Sequence, residues 1–374
     1  MTRFTSVYIH YPFCLRKCHY CDFVSLPRED NLDLAAAYPE LLRQELALWQ
    51  GEADLSGLCT VYFGGGTPSL LEPEQAASLL ALLPTAREIT LEANPETVVP
   101  DRLAAFRAAG VNRLSLGVQS FQPRLLKLMG RCHSPEQAVE ALASARAAGF
   151  DNIGLDLIYG LPEQTLAQWQ NDVEEAVRLA PEHISLYALA LSEHSPWGRQ
   201  AAAGQLAAAA DDLAADMEEL AVMMLRQAGY CHYEIANFAR PGYESLHNTA
   251  YWQRANYLGL GAAAASCAAA HRWANQRDPY AYGSAIRSGS LPRIEEEWLT
   301  IEQVIGEALF LGLRLLAGIR RADFAAQYGV DPVQRFKKQL RPLIEAGLLE
   351  VNEQTMRLTE KGVLLSNRVF AEFV

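Results

Sequence analysis

The sequence predicts an α/β protein: a partial (β/α)6 TIM-like barrel followed by an α+β extension that ends in a winged-helix-like module. Three observations carry this. Short β-rich runs alternate with longer amphipathic segments six times through the first half, the βαβα rhythm of a parallel sheet. Chemically rich residues recur at the ends of those strands, as on the C-terminal face of (β/α) barrels. From about Leu299 the rhythm changes to helices followed by a short β pair.

The six predicted strands are Thr5–His10, Cys59–Phe63, Glu88–Ala93, Arg113–Val118, Asn152–Ile158 and His183–Ala188. Between them the helical pattern covers Leu34–Trp49, Pro73–Leu82, Asp101–Ala109, Pro135–Ala148 and Leu166–Leu179. Ser134-Pro135-Glu136-Gln137 and Thr165 with Gln168 read as capping boxes, and Gly110 and Gly149 sit where helices should end. Ala201–Gln227 reads as an Ala-rich helix or helix pair, followed by a Tyr-, His- and Asn-rich stretch from Tyr230 to Trp252. The last part predicts helices over Ile301–Leu316, Arg321–Tyr328 and Val333–Ala346, a β pair around Asn352–Gln354, and a terminal helix. The expected organisation is therefore a barrel over 1–195, a helical and linker region over 196–298, and a winged-helix-like domain over 299–374.

Composition narrows the function. The chain has 374 residues, of which 50% are hydrophobic and 20% charged, which excludes disordered and collagen-like classes. Lys+Arg total 32 against Asp+Glu 44, a net charge of -12, so a phosphate backbone is a poor partner and a small ligand a better one. Arg335, Lys337, Lys338 and Arg341 make a locally basic helix, read as a solvated face that closes over the barrel or docks a recipient protein. No apolar run has the roughly 18 to 20 residues of a membrane span, so a cytoplasmic protein is expected. Seven cysteines, three of them within eight residues, argue against a secreted disulfide framework and for a metal site.

That triplet, Cys14-x3-Cys18-x2-Cys21, follows the first strand directly. A closed zinc site wants four ligands, whereas an iron–sulfur cube held by three thiolates leaves one iron open; both readings stand on spacing alone. Arg16 and Lys17 favour thiolates nearby, and Tyr8, Tyr11, Phe13, Tyr20 and Phe23 are candidates to shield the group from water. The triplet resembles the signature of the radical S-adenosylmethionine (SAM) superfamily. That resemblance implies a radical SAM barrel in which Cys14, Cys18 and Cys21 hold a [4Fe-4S] cluster. The open iron then binds the SAM amino and carboxylate groups, and one-electron reduction, from a donor such as flavodoxin or ferredoxin, yields methionine and a 5′-deoxyadenosyl radical.

Gly64-Gly65-Gly66-Thr67-Pro68-Ser69 ends the second strand, where glycines permit close backbone approach. It resembles the Gly-rich segment of the same fold, which implies SAM contacts for Gly65, Gly66 and Thr67. Glu92, Gln119, Arg131 and Asp156 are polar residues in or after otherwise apolar strands, and their chemistry suits ribose hydroxyls, amides and a carboxylate. Their order is similar to that of the anaerobic coproporphyrinogen III oxidase-like branch, which implies SAM contacts for Tyr8, Tyr20, Glu92, Gln119, Arg131 and Asp156.

Within that branch, the porphyrinogen-oxidising enzymes carry a further cysteine two positions after the third ligand, where this chain has Phe23, and an N-terminal extension. His247-Asn248-Thr249-Ala250-Tyr251-Trp252 instead resembles the HNxxYW motif of HemW-type haem chaperones. The resemblance implies a protein that binds cluster, SAM and haem, with His247 as the haem contact. It further implies delivery of haem to a haemoprotein such as a membrane respiratory oxidase, with peripheral membrane contact during transfer. The alternatives are an oxygen-independent coproporphyrinogen III dehydrogenase and, more weakly, a radical SAM haem-modifying methyltransferase, so whether the chain turns SAM over stays open. After Tyr257-Leu-Gly-Leu-Gly, many relatives place a His-Ser pair where this chain runs Ala262–Ala265 into Ser266-Cys267; Cys267 or His271 is the candidate substitute.

Overall fold

A computed structural model describes residues 1–373. Six strands, β1 (Ser6–Tyr11), β2 (Thr60–Gly65), β3 (Glu88–Ala93), β4 (Arg113–Gln119), β5 (Ile153–Tyr159) and β6 (His183–Ala188), pair in parallel in chain order. The helices α1 (Leu32–Leu48), α2 (Pro73–Leu80), α3 (Pro100–Ala108), α4 (Pro123–Met129), α5 (Pro135–Ala147) and α6 (Leu166–Leu179) make the crossovers. Side chains alternate across a strand, so Val7, Ile9, Val61, Phe63, Leu114, Leu116, Leu155 and Leu157 enter the apolar core. The opposite phase, Tyr8, Tyr62, Glu92, Ser115 and Asp156, is left for the barrel interior.

The expected starts and stops are present. Ser134 Oγ accepts from Gln137 N while Ser134 N donates to Gln137 Oε1 at 2.8 Å, and Thr165 and Gln168 repeat the exchange. Each such cap contributes about 1 kcal/mol. Gly110 and Gly149 follow α3 and α5 with φ of 108° and 87°.

The region after the barrel differs from expectation. The Ala-rich stretch divides into α7 (Pro196–Ala202) and α8 (Asp211–Gln227), interrupted where Gly204 turns with φ 69°. Six further strands follow: β7 (Cys231–Glu234), β8 (Asn237–Ala239), β9 (Tyr257–Leu260), β10 (Ala265–Ala268), β11 (His271–Asn275) and β12 (Arg293–Trp298), with α9 (Leu246–Trp252) and α10 (Pro279–Arg287) between them. They extend one sheet in the order β7-β8-β6-β5-β4-β3-β2-β1-β9-β10-β11-β12. Met217, Leu225, Leu258, Trp273 and Tyr282 share the core of Val7, Tyr38 and Leu46, so 196–298 packs as part of the barrel body rather than as a linker. Alanine-rich strands such as Ala265–Ala268 carry a weak β signal, and pairing with their neighbours overrides it.

The C-terminal part has its own core around Ile305, Leu309, Leu340, Leu343, Met356 and Phe370. Helices Ile301–Gly312, Arg321–Tyr328, Pro332–Arg335 and Lys337–Glu345 pack with a three-stranded antiparallel sheet of Ile319–Arg320, Thr355–Leu358 and Leu349–Val351. The helix expected over Val333–Ala346 is broken at Phe336. Arg335 pairs with Glu302 and Arg341 with Glu345, so the basic face is partly neutralised. Among the described residues no helix is long and apolar enough to cross a membrane.

A buried carboxyl ties α1 to the added strands. Glu45 accepts from Gly261 N at 2.7 Å, Asn275 Nδ2 at 2.6 Å and the Tyr282 hydroxyl at 2.8 Å. Burial nevertheless pushes its pKa from 4.5 up to about 7. Between those values the folded chain keeps a proton the unfolded chain has released, so this group makes stability fall as pH rises through that window. Glu45→Gln is expected to flatten the decline in denaturant-unfolding free energy between about pH 5 and 7. Glu45→Ala, which orphans three buried donors, is expected to lose about 3 kcal/mol.

Candidate cofactor site

The three cysteines occupy a loop that leaves the C-terminal end of β1. Phe13–Cys14 pairs in parallel with Leu26–Pro27 and closes the loop at its base. Its middle is pinned from outside: His19 N donates to Met129 O at the end of α4, and Trp197 N in α7 donates to His19 O, each at 2.9 Å. Cys14 is buried, Cys18 and Cys21 are half-buried, and all three are free thiols. Desolvation raises the Cys14 thiol and pushes Cys21 up to about 12, so thiolates here call for a cationic group to offset their burial. Among the described residues no three His, Cys, Asp or Glu side chains converge as one tetrahedral ion would require. A cubane binds each thiolate through a different iron, and a three-thiol donor set suits it.

Arg131 links this loop to the barrel. Its side chain is 4% exposed; Nη2 donates to Asn94 Oδ1 at 2.8 Å and Gly117 O at 2.6 Å, while Nη1 faces Cys18 Sγ at 3.7 Å. Glu96 lies 3.8 Å away, and Nε is buried with no partner. That unsatisfied donor beside the cluster loop fits an anionic ligand group. Tyr20 is half-buried beside Arg131, where desolvation raises its hydroxyl pKa, and its ring lies 6.3 Å from that of Trp197.

The Gly-rich turn lies directly on the cysteine loop. Gly66 N donates to Tyr11 O and Thr67 N to Phe13 O, and a Cβ on Gly66 would stand 2.7 Å from Phe13 O. Gly65 adopts φ 113°, with its N–H donating to Glu92 Oε2 at 3.2 Å. Glu92 Oε1 accepts from the Tyr62 hydroxyl at 2.8 Å, yet burial pushes its pKa up to about 7. Asp156 accepts from Ser115 Oγ at 3.1 Å and 3.3 Å, and burial raises it too. Gln119 ends β4 with φ 70°, beside a register shift between Gly117 and Gln119. The Tyr8 ring stacks on Tyr62 at 6.1 Å, and its hydroxyl pairs with His10 Nδ1 at 3.1 Å.

The structure thus gathers the predicted residues into two linked groups. Cys18, Arg131 and Thr67 are joined by Asn94, whose Nδ2 donates to Thr67 Oγ1 at 3.1 Å; Gly65 and Glu92 adjoin Tyr62, with Tyr8 stacked against it. Sequence reasoning passed over Asn94 and Tyr62. Asn94 lies two residues after Glu92 at the end of the same strand, and Tyr62 shares the inward phase of Thr60, so strand periodicity could have found it.

His247 lies within the wall of the site, held by hydrogen bonds at both ring nitrogens. It is 1% exposed in α9; Nδ1 pairs with Thr60 Oγ1 at 2.8 Å and Nε2 with the Tyr251 hydroxyl at 2.9 Å. Burial lowers its pKa to about 3, and the N–H groups of Leu246 and His247 donate to Glu88. Both ring nitrogens are therefore hydrogen-bonded in this arrangement. Of the expected shielding aromatics, Phe23 is 62% exposed, while Tyr11 and Phe13 pack against Tyr38.

A cysteine loop thus stands at the mouth of a partial barrel, facing strand-end groups whose chemistry suits an amino acid and a nucleoside. The radical SAM superfamily model matches residues 8–176 and the HemN C-terminal domain model residues 299–365. The Lactococcus lactis protein named heme chaperone HemW is 37% identical, covering 99% of this chain and 97% of its own. Its Bacillus subtilis namesake is 35% identical, covering 99% of each. The solved coproporphyrinogen III oxidase (HemN) of Escherichia coli, a radical SAM enzyme, superposes with a TM-score of 0.83 at 26% identity, over 98% of this chain and 89% of that one. The chain belongs to the radical SAM superfamily, in the HemW family.

Cys18→Ala is expected to reduce iron and sulfide in the anaerobically reconstituted protein to background and to remove the broad cluster absorption near 400 nm, roughly where thiolate-to-iron charge transfer falls. Full cubane content in that variant would show that the ligands are misassigned. His247→Ala removes two buried hydrogen bonds and is expected to lower unfolding free energy by about 2–4 kcal/mol in urea titrations.

Proposed function

We propose that the protein is a haem chaperone of the radical SAM fold, binding a [4Fe-4S] cluster, SAM and haem and delivering haem to a recipient haemoprotein. The observation that carries this reading is the similarity to HemW proteins along nearly the whole chain, including the C-terminal part. In it, Cys14, Cys18 and Cys21 hold the cluster. Arg131 and Thr67 flank the cluster loop to orient the amino-acid end of SAM, with Gly65, Gly66 and the half-buried Glu92 beside them. Asp156 and Gln119 line the nucleoside end, and Tyr8 and Tyr20 close the two sides. His247 supports the wall of the site through Thr60 and Tyr251.

When bound, the reduced cluster with SAM supplies one-electron chemistry. The electron donor is taken to be flavodoxin or ferredoxin, and the recipient a membrane respiratory oxidase approached from the cytoplasm. Free thiols at all seven cysteines suit a reducing compartment.

The likeness to HemN favours one rival, oxidative decarboxylation of coproporphyrinogen III. Against it stands Phe23, in the position where that activity carries another cysteine. Anaerobic incubation with dithionite, SAM and coproporphyrinogen III is expected to yield no protoporphyrinogen IX above controls lacking protein, whereas haem preloaded on the chain moves to an apo-haemoprotein. Stoichiometric protoporphyrinogen would reject the chaperone-only reading.

A further inference from the structure

The cysteine loop has an outer face made by the residues between its thiols. Cys14 is buried and Cys18 faces Arg131, whereas Leu15 is 44% exposed and Arg16 and His19 are exposed with it. Lys17 lies half-buried along the loop, its Nζ donating to Phe23 O at 3.3 Å. Two helix ends border this face. His19 Nδ1 pairs with Leu128 O at 2.9 Å, which sets the last turn of α4 and its exposed Lys127 against the loop. Trp197 N donates to His19 O, which brings in the exposed Arg199 two residues further along α7.

Arg16, Lys17, Lys127 and Arg199 therefore lie around one exposed aliphatic side chain, Leu15. Among the described residues no carboxylate lies within 4.0 Å of any of these four cations. Their surroundings differ: Arg124 on the same helix as Lys127 pairs with Glu163, and Glu96 is held between Arg131 and His133. Of the acids nearest in sequence, Glu193 turns to His194 at 3.9 Å, and Asp22 lines a cavity together with Arg254 and Arg277. A basic side chain in the last turn of a helix complements its dipole, which accounts for Lys127 and Arg199 singly. It does not account for Arg16 and Lys17 on a loop, nor for four like charges gathered on a chain of net charge -12. Such a local positive field attracts an anionic surface.

The chemistry of the face limits what that surface is. One aliphatic side chain is too little apolar area to seat in a bilayer. A basic ring about a small apolar centre suits a transient protein complex, of the kind that buries less than about 1,200 Å² and forms fast because its charges are complementary. Position adds a second constraint. An electron bound for a group held by Cys18 and Cys21 reaches it most directly through this loop, where both thiols are only half-buried.

We propose that the outer face of the cysteine loop, with Arg16, Lys17, Lys127 and Arg199 around Leu15, is the docking surface for a small acidic one-electron carrier. The assignment rests on reading the loop as the ligand set of a reducible cluster and gives its electron donor a place to bind. The carrier loses one electron and the group held by Cys14, Cys18 and Cys21 gains it; no atom is exchanged. Because the face lies outside the thiols, the carrier leaves the strand-end groups of the barrel uncovered.

Flavodoxin reduced to its hydroquinone and mixed anaerobically with the cluster-loaded full chain tests this, with affinity read by titration and cluster reduction by stopped-flow absorbance. In the wild type both are expected to weaken about tenfold between about 0.01 and about 0.15 M salt, as the Debye length falls from ~30 to ~8 Å. The double variant Lys127→Glu, Arg199→Glu is expected to bind flavodoxin about tenfold more weakly at low salt and to lose most of the salt dependence, with iron and sulfide content and reduction by dithionite unchanged. Lys338→Glu with Arg341→Glu makes the same change of net charge on a C-terminal helix and is expected to bind like wild type. Equal losses in the two double variants, or no loss in the first, would overturn the proposal. So would loss of binding to anionic lipid vesicles by Lys127→Glu, Arg199→Glu with flavodoxin binding intact, which would assign the face to a membrane. Should the wild type hold no dithionite-reducible cluster, the cluster reading fails, and the flavodoxin titration still decides the surface.

Discussion

The site depends on a backbone-to-backbone contact between two loops at the same end of adjacent strands. Parallel pairing of β1 and β2 carries through His10–Gly64 and Tyr11–Gly65, and two further amide donors, Gly66 N and Thr67 N, then land on Tyr11 O and Phe13 O. The cysteine loop is thereby held on the Gly-rich turn before its thiols are considered. A side chain at Gly66 would overlap the Phe13 carbonyl, and one at Gly65 would meet the His10 ring at 2.6 Å while straining a backbone at φ 113°. Glycine is required by contact at the first position and by both contact and conformation at the second.

Once those strands are in register, their alternation decides what faces inward. One phase is spent on the apolar core, so the other brings Glu92, Asp156, Arg113 and several hydroxyls into a space largely shielded from water. Desolvation drives both carboxyls upward, and Tyr62, Gly65 and Ser115 only partly offset it. Such a barrel interior is poised to gain from a ligand that brings its own hydroxyl and amino groups. The same economy explains Arg131: a buried cation with one unused N–H is tolerable where sulfur and carboxylate oxygens surround it.

Much of this was legible in the sequence because the barrel strands are β-branched and aromatic, bounded by Gly, Pro and caps. Glu88–Ala93 and His183–Ala188 match residue for residue, and the cysteine spacing is tied to a strand end that periodicity locates. The second half of the sheet was not legible. Strands such as Ala265-Ser266-Cys267-Ala268 have little intrinsic preference, and only pairing with β9 and β11 makes them strands. His247 shows a different limit. A motif says that an imidazole matters, but which atoms its nitrogens meet is fixed by Thr60 and Tyr251, one of them 187 residues away.

The relation between the cluster end and the chaperone reading turns on Phe23. Phe23 stands two positions after the third cysteine, where the resemblance to the porphyrinogen-oxidising enzymes implies a further thiol. Here an apolar ring, 62% exposed, stands at that position and on the rim of a cavity bounded by α9 and the β10–β11 hairpin. An exposed aromatic gains free energy by covering itself with a flat apolar surface and contributes no proton or sulfur chemistry.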